Sequence, residues 1–325
     1  MRAPAFWYPA TTELAGPLPW LLSPLALCYA MAGWLRNKFA GPYRAPVPVI
    51  CVGNLTAGGT GKTPVAIALA ERLMKRGVRV HLLTRGYGGT ISGPLRADPA
   101  LHDFTQVGDE ALLLADVAPT WVARNRKAGA MAAVAAGAQL LILDDGHQNP
   151  HLHKDLSLVL VDVARGFGNG WVLPSGPLRE PVGRGMARAD AVVMIGDGGN
   201  VPDSDKPQLR AHRRLRHPET LRGKTVYAFC GIGAPQQFFD MLANAGAMIM
   251  GKRAFPDHHP FTDDEMKQVI SAALKLNATP VTTEKDLVRL SPEIRVRVTA
   301  IGMEMVFSDE GALAQLLDKV LHTSV

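Results

Sequence analysis

The sequence, 325 residues long, predicts an α/β protein with a three-layer α/β/α domain built on a mainly parallel sheet and a second, smaller α/β domain after it. Three observations carry that prediction. Short β-branched runs, apolar on both faces, alternate with longer helical stretches, the pattern of a parallel sheet covered on each side. The run VICVGNLTAGGTGKT at 49–63 passes from a strand through a glycine-rich turn into a helix. A stretch at 196–207, rich in Gly, Asn, Pro and Asp, breaks the rhythm as an interdomain linker does.

Taken in order, residues 1–45 form a separate N-terminal segment. An uncharged run between Glu13 and Arg36 is nominally long enough to cross a bilayer, but Pro17, Pro19 and Pro24 interrupt it. Each proline removes a backbone donor and obstructs the preceding turn, so the expected helix is three turns long, over 24–38. Phe6, Trp7, Tyr8, Trp20, Tyr29 and Trp34 gather here in a chain that is only 6% aromatic, and Arg36, Lys38 and Arg44 follow. Rings at headgroup depth beside cations suit an amphipathic helix lying in a membrane interface; a helix docked on the protein's own core is the alternative. The segment lacks the basic start and small-residue cleavage site of a signal peptide.

The large domain is expected over 46–205, with strands at 47–52, 78–83, 121–123, 140–143, 156–161 and 191–195 and helices at 63–76, 109–116 and 125–137. The smaller domain, 206–325, opens on a basic stretch at 210–222. It continues with a strand at 225–230, helices at 235–245 and 262–276, strands near 280–283 and 296–303, and a last helix at 310–321.

The glycine-rich turn carries the chemistry. Gly58, Gly59 and Gly61 let backbone N–H groups converge on phosphate oxygens, and the helix N-terminus adds its positive end. Lys62 is spaced to reach the β and γ phosphates, and the Thr63 hydroxyl to hold Mg²⁺. The domain is therefore P-loop NTPase-like, with ATP and Mg²⁺ as cofactors and 56–63 (Thr56, Ala57, Gly58, Gly59, Thr60, Gly61, Lys62, Thr63) as the nucleotide-contacting run. The usual first glycine of the eight-residue pattern falls on Thr56. A second element, LLILDDG at 140–146, is an apolar strand ending in two acids at the sheet's ligand edge, where Asp144 or Asp145 can ligate Mg²⁺. His147, His151 and His153 nearby lack a further ligand at metal spacing and read as polar loop histidines.

Composition bounds the alternatives. Apolar residues make up 47% and charged residues 20%, which excludes a disordered chain. The 35 Lys and Arg against 29 Asp and Glu leave a net charge of +6, which favours phosphate-bearing partners. Three scattered cysteines, Cys28, Cys51 and Cys230, fit a reduced, cytosolic compartment and exclude a disulfide scaffold.

Further segments narrow the reading: TRGYGG at 84–89, GDE at 108–110, GNGWVLPSGPLREP at 168–181, FPDHH at 255–259 and TEKD at 283–286. With the loop at 56–64 and DDG at 144–146, they resemble, in order and over essentially the whole chain, the tetraacyldisaccharide 4′-kinase family of lipid A biosynthesis. That family's loop also lacks the first glycine, which turns Thr56 from an objection into support. The resemblance implies transfer of the ATP γ-phosphate to the 4′-hydroxyl of a lipid A disaccharide 1-phosphate at the cytoplasmic face of the inner membrane. An acylated, anionic acceptor accounts for the N-terminal segment and the basic surface, and leaves no role for nucleic acid. A monomer peripheral to that membrane is expected.

A sugar hydroxyl is a poor nucleophile, so a carboxylate or imidazole near the acceptor should take its proton. Asp109 is the candidate base, and the resemblance pairs it with His258 from the second domain. On residue type alone Asp109 reads as a helix cap or dipole partner, and His258 as a loop anchor. Lys62 and Arg179 complete the expected catalytic set; Thr63, Asp144, Asp145 and Glu180 are the expected Mg²⁺ shell. Asn54, Arg85, Tyr87 and Glu110 are taken as substrate-binding, since an arginine's planar fork suits phosphate. One departure is Asn149, where the family often has histidine. The basic run 210–217 reads as a solvated strand or linker face in preference to a lipid-phosphate site.

Two rival classes remain. A membrane-associated switch ATPase of the cell-division or partition type uses a similar loop with an additional lysine, but that position is Ala57 here. A soluble small-molecule kinase or ligase leaves the N-terminal aromatic cluster unexplained.

Overall fold

The computed structural model describes residues 4–9, 16–198 and 204–322; part of the linker expected at 196–207, and Glu13, lie outside the described residues. The strands are β1 (Val49–Asn54), β2 (Val80–Thr84), β3 (Leu95–Ala97), β4 (Thr120–Val122), β5 (Leu140–Asp144), β6 (Leu156–Asp162), β7 (Ala191–Ile195), β8 (Gln208–Leu215), β9 (Thr225–Cys230), β10 (Met248–Ala254), β11 (Thr279–Thr283), β12 (Thr299–Ile301) and β13 (Met303–Phe307). The helices are α1 (Leu18–Phe39), α2 (Lys62–Lys75), α3 (Phe104–Val107), α4 (Asp109–Ala115), α5 (Arg126–Ala135), α6 (Val182–Ala187), α7 (Pro235–Asn244), α8 (Asp263–Lys275), α9 (Glu284–Leu287), α10 (Pro292–Arg295) and α11 (Glu310–His322).

Nine strands form the large sheet in the order β13-β8-β7-β6-β1-β5-β2-β4-β3, parallel except at its edges, where β3 and β13 run antiparallel to their neighbours. The residues of β1 show why both faces are covered. Ile50 and Val52 point into a core shared with Leu69 and Leu73 of α2 and Leu313 and Leu317 of α11, while Val49 and Cys51 meet Ala130 and Ala133 of α5. Each fully buried leucine of this kind stabilises the fold by about 2 kcal/mol. The result is the three-layer α/β/α arrangement that the alternating pattern predicts.

The smaller unit does not begin where composition places the division. β8 pairs in parallel with β7, at Val193↔Leu209, and β13 returns along β8, at Met303↔Leu215. The basic run is thus a strand of the large sheet, with Arg214 paired to Glu304 and Arg216 to Glu71. α11 also packs on the large sheet. The parallel four-stranded sheet β10-β9-β11-β12 is inserted between β8 and β13, and the single strand expected over 296–303 is two strands separated by Gly302.

The N-terminal helix differs from expectation as well. α1 starts at Leu18 and runs 22 residues with Pro24 inside it. Pro19 sits in the first turn, where no intrahelical donor is needed. At Pro24 the lost bond is replaced, because the Ser23 hydroxyl donates to the Trp20 carbonyl (2.7 Å). Trp20, Leu21, Leu25, Leu27, Met31, Leu35 and Phe39 are exposed, and at about 100° per residue they span more than a single stripe. The opposite side, turned to the protein, carries buried Pro19 and Ala26 and half-buried Ala30, Gly33 and Asn37. The helix is long and apolar enough to cross a membrane by length and composition. It is also held to the protein: Trp20 stacks edge-on against Trp171 at 4.9 Å, and Arg36 donates to the Gln148 carbonyl at 3.0 Å.

Candidate active site

The carboxyl edge of the large sheet gathers most of the residues singled out in the sequence. β1 delivers Asn54 into the loop that precedes α2, and Gly61 caps α2 with φ of 89°. A side chain there would be strained and would crowd Arg213, whose Nη2 lies 3.0 Å from where a Cβ would stand. Lys62 Nζ donates to Asn54 Oδ1 (3.3 Å) and lies 3.7 Å from Asp145 Oδ1. Arg179 Nη1 donates to the same Asp145 oxygen at 2.7 Å. Burial alone would raise the Asp145 pKa, but Lys62 and Arg179 outweigh it and hold the carboxylate below its ordinary range. Two cations thus share one carboxylate beside the loop.

Asp144 has the opposite environment. The Thr63 hydroxyl donates to its Oδ2 (2.8 Å), but its Oδ1 is buried with no hydrogen-bond partner among the described residues. Burial, and then the negative charges of Glu110 and Asp145, push its pKa up to about 7 despite Thr63 and Lys62. An orphaned, destabilised carboxylate oxygen facing a phosphate loop is chemically suited to a cation. Glu180, also expected in that shell, gives both oxygens to Arg188 Nη2 (2.7 Å each) and accepts from Gln148 Nε2 (3.0 Å). Among the described residues no three His, Cys, Asp or Glu side chains converge as a metal cluster. Mg²⁺ does not require one, since it usually takes one or two carboxylates with waters and phosphate oxygens.

The segment 168–181 straps the loop. Ala57 N donates to the Pro177 carbonyl (2.7 Å) and Arg179 N to the Leu55 carbonyl (2.7 Å), so Ala57 is a tether of the loop. The Thr56 carbonyl accepts from Asn54 Nδ2 (2.8 Å), the Thr60 hydroxyl has no partner among the described residues, and the glycine positions 58 and 59 face open space.

The second corner lies at the start of α4. Gly108, with φ of 87°, brings this helix against the turn after β2: a Cβ there would stand 2.4 Å from the Tyr87 carbonyl. Asp109 is thereby buried, and His258 Nδ1 from the smaller unit lies 2.8 Å from its Oδ2. Around the same oxygen stand Arg289 Nε (3.6 Å) and Lys285 Nζ (4.0 Å). Burial would raise the Asp109 pKa; the bond from His258 and the charges of Lys285 and Arg289 together hold it low. The sequence brings out Asp109 and His258 but gives no role to Lys285, and Arg289 lies outside its motifs. Lys285 lies within the TEKD segment, whose Thr283 and Asp286 fold it: Thr283 Oγ1 donates to Asp286 Oδ2 (2.7 Å), and Asp286 Oδ1 accepts from Gly231 N (3.0 Å).

Between the two corners and α1 is a cavity of about 740 Å³. Arg85, Tyr87, Glu110, Asp145, Arg179 and Glu180 line one side, and Tyr29, Gly33 and Trp34 of α1 the other. Arg188 and Gln148 line it too and were not singled out in the sequence; Arg188 follows α6 in no recognisable motif. His147 is buried: its Nε2 donates to the Gly185 carbonyl (3.0 Å), so its Nδ1 accepts from the Ser157 hydroxyl (2.9 Å). Asn149 Oδ1 accepts from His151 N (3.0 Å) in a local turn.

A phosphate loop with Lys-Thr, an acid at the end of the neighbouring strand and a buried acid–imidazole pair at the same sheet edge define a P-loop phosphotransferase. Comparison with known proteins identifies which kind. The family model for tetraacyldisaccharide-1-P 4′-kinase (LpxK) matches residues 18–322. The tetraacyldisaccharide 4′-kinases of Rhodospirillum centenum and Jannaschia sp. are each 49% identical, covering 99% of this chain and 97% and 99% of their own lengths. The crystal structure of LpxK from Aquifex aeolicus in complex with ATP superposes with a TM-score of 0.77 at 29% identity, covering 94% of this chain and 99% of that one. The chain belongs to the tetraacyldisaccharide 4′-kinase family, and is a kinase of lipid A biosynthesis.

Proposed function

We propose that this kinase transfers the γ-phosphate of ATP to the 4′-hydroxyl of an acylated disaccharide 1-phosphate at the cytoplasmic face of the inner membrane. The observation that carries the reading is the 2.8 Å contact between Asp109 and His258, at the same sheet edge as the phosphate loop. Asp109, held ionised, takes the hydroxyl proton as the 4′-oxygen bonds to the γ-phosphorus. The bond from that phosphorus to the β–γ bridging oxygen breaks, and ADP leaves with the oxygen. His258 orients the carboxylate. Lys62 and Arg179 exchange their contacts with Asp145 for phosphate oxygens, which binds and aligns the nucleotide.

Thr63 and Asp144, with Asp145 and Glu180 beside them, are the residues that would hold Mg²⁺. When bound, that ion neutralises charge on the β and γ phosphate oxygens. Asn54 positions Lys62, and Arg85, Tyr87 and Glu110 line the acceptor cavity. Because α1 forms the far wall of that cavity and exposes Trp20, Leu21 and Leu25, acyl chains can remain in the bilayer while the sugar reaches the site. Lys38 and Arg184, against the Trp34 ring at 5.0 and 5.9 Å, suit an anionic surface. Asp109 and His258 come from one chain, which supports a monomer as the working unit, and nothing in the reading requires nucleic acid.

The experiment is incubation of the full chain with γ-labelled ATP and the acylated disaccharide 1-phosphate in detergent. Labelled lipid is expected from the wild type, and about a 10³-fold lower rate from Asp109→Asn with ATP binding kept. ATP hydrolysis without labelled lipid would refute the acceptor, and an unchanged rate in Asp109→Asn would remove the base.

A further inference from the structure

The 2.8 Å contact does not by itself say which nitrogen of His258 carries the proton, and an imidazole next to a buried carboxylate ordinarily tends toward the charged form. A third group bears on this choice. Lys285 Nζ lies 3.2 Å from His258 Nε2, the ring nitrogen turned away from Asp109. An ammonium has three donors and no acceptor, so Nε2 must offer its lone pair to Lys285, and Nδ1 must carry the hydrogen that points to Asp109. A second proton on Nε2 would face a cation at hydrogen-bond distance.

We infer that Lys285 is a positioning residue for phosphoryl transfer: its ammonium takes the Nε2 lone pair, fixes His258 in the Nδ1–H tautomer and so aims that hydrogen at the Asp109 carboxylate. The inference rests on the proposed role of Asp109 and His258. The groups against the imidazole are Asp109 from α4, Asp257 from its own turn, Lys285 from α9 and Tyr87 with its ring centroid at 5.8 Å, while Glu110 of α4 meets Lys285 and Arg289, just after α9, meets Asp109. The cations divide the work. Arg289 is almost wholly buried, donates to Asp286, the Gly231 carbonyl and the His259 carbonyl, and so braces the turn. The Lys285 ammonium meets side chains: besides the imidazole and Asp109 it is 3.8 Å from both Glu110 Oε1 and Asp257 Oδ1. These two acids keep the ammonium from moving away from Nε2. His258 itself has φ of 57°, a left-handed backbone that favours glycine, and the surrounding contacts hold it there.

The test is the pH dependence of kcat/KM for the lipid acceptor in the full chain, with Lys285→Met and Lys285→Arg. Removing the cation that helps hold Asp109 ionised lets that carboxylate keep its proton to higher pH, so in Lys285→Met the acid limb is expected to move up by about one pH unit. The loss should grow to about tenfold below that limb and be small at pH 7, with KM for ATP unchanged, and Lys285→Arg should restore the limb to within a few tenths of a unit. A Lys285→Met profile that falls in parallel at every pH overturns the inference. So does long-range ¹H–¹⁵N spectroscopy of the wild type showing His258 as imidazolium or as the Nε2–H tautomer at pH 7, a readout independent of whether the variant folds. Failure of the base assignment is a separate outcome: Asp109→Asn and His258→Ala would then both retain activity, whatever Lys285→Met does.

Discussion

Asn54, Lys62 and Thr63 are set by one continuous strand, turn and helix, whereas Asp109 reaches His258 across 149 residues of chain. The phosphate loop needs only local geometry and the strap at 168–181, and its charges are balanced within the large sheet. The Asp109 corner exists only when α4 of the large sheet meets the turn before α8 and the segment after β11. Binding of nucleotide and activation of the acceptor are therefore built on supports that can fail separately.

The sharpest break is Lys62→Ala. Loss of the cation that meets the transferring phosphate should cost at least about 10³-fold in kcat and also weaken ATP binding, which isothermal titration would read, in contrast to Asp109→Asn. If both variants lose ATP affinity equally, the two corners are not independent. Arg188→Ala is expected to act between them. It frees Glu180 Oε2 and leaves Oε1 only the Gln148 amide, so a largely buried carboxylate in the cavity wall loses its cation, and kcat/KM should fall by roughly tenfold without a change of fold by circular dichroism. The smallest effect is on stability and concerns neither corner. Burial holds the His147 pKa down to about 4, against an ordinary value near 6.5. The folded state keeps the ring neutral while the unfolded chain protonates it, so stability should be lost as pH falls from about 6.5 toward 4. Denaturant unfolding of His147→Asn should lack that part of the acid dependence; an identical pH slope would show that His147 does not supply it.

What could be read in advance follows the same division. The phosphate loop, DDG and most of the core strands are contiguous patterns whose physics is local, so the sequence places them. Asp109 and His258 could be paired only through a family resemblance, because no spacing rule links residues brought together by tertiary folding. Arg188 and Arg289 carry no pattern at all: an arginine eight residues after a glutamate comes to donate to both of its oxygens only once α6 has turned. The start of α1 at Leu18 was obscured by Pro24, whose helix-breaking tendency is offset by a single serine hydroxyl. The division expected at 206 followed loop composition, which cannot reveal that MEMVF at 303–307 returns to pair with the strand just left.

That return has a consequence for how the smaller unit is carried. Its entrance and exit are opposite residues of one antiparallel ladder, Leu215 and Met303, roughly 5 Å apart at Cα in such a pair. A body tethered by two adjacent cords can swing about the line across them but can hardly twist, so His258 is confined to a narrow arc over Asp109. The same closeness makes the insertion removable on paper: a two-residue hairpin from Leu215 to Met303 would leave the nine-stranded sheet whole, with its phosphate loop and no imidazole to serve it.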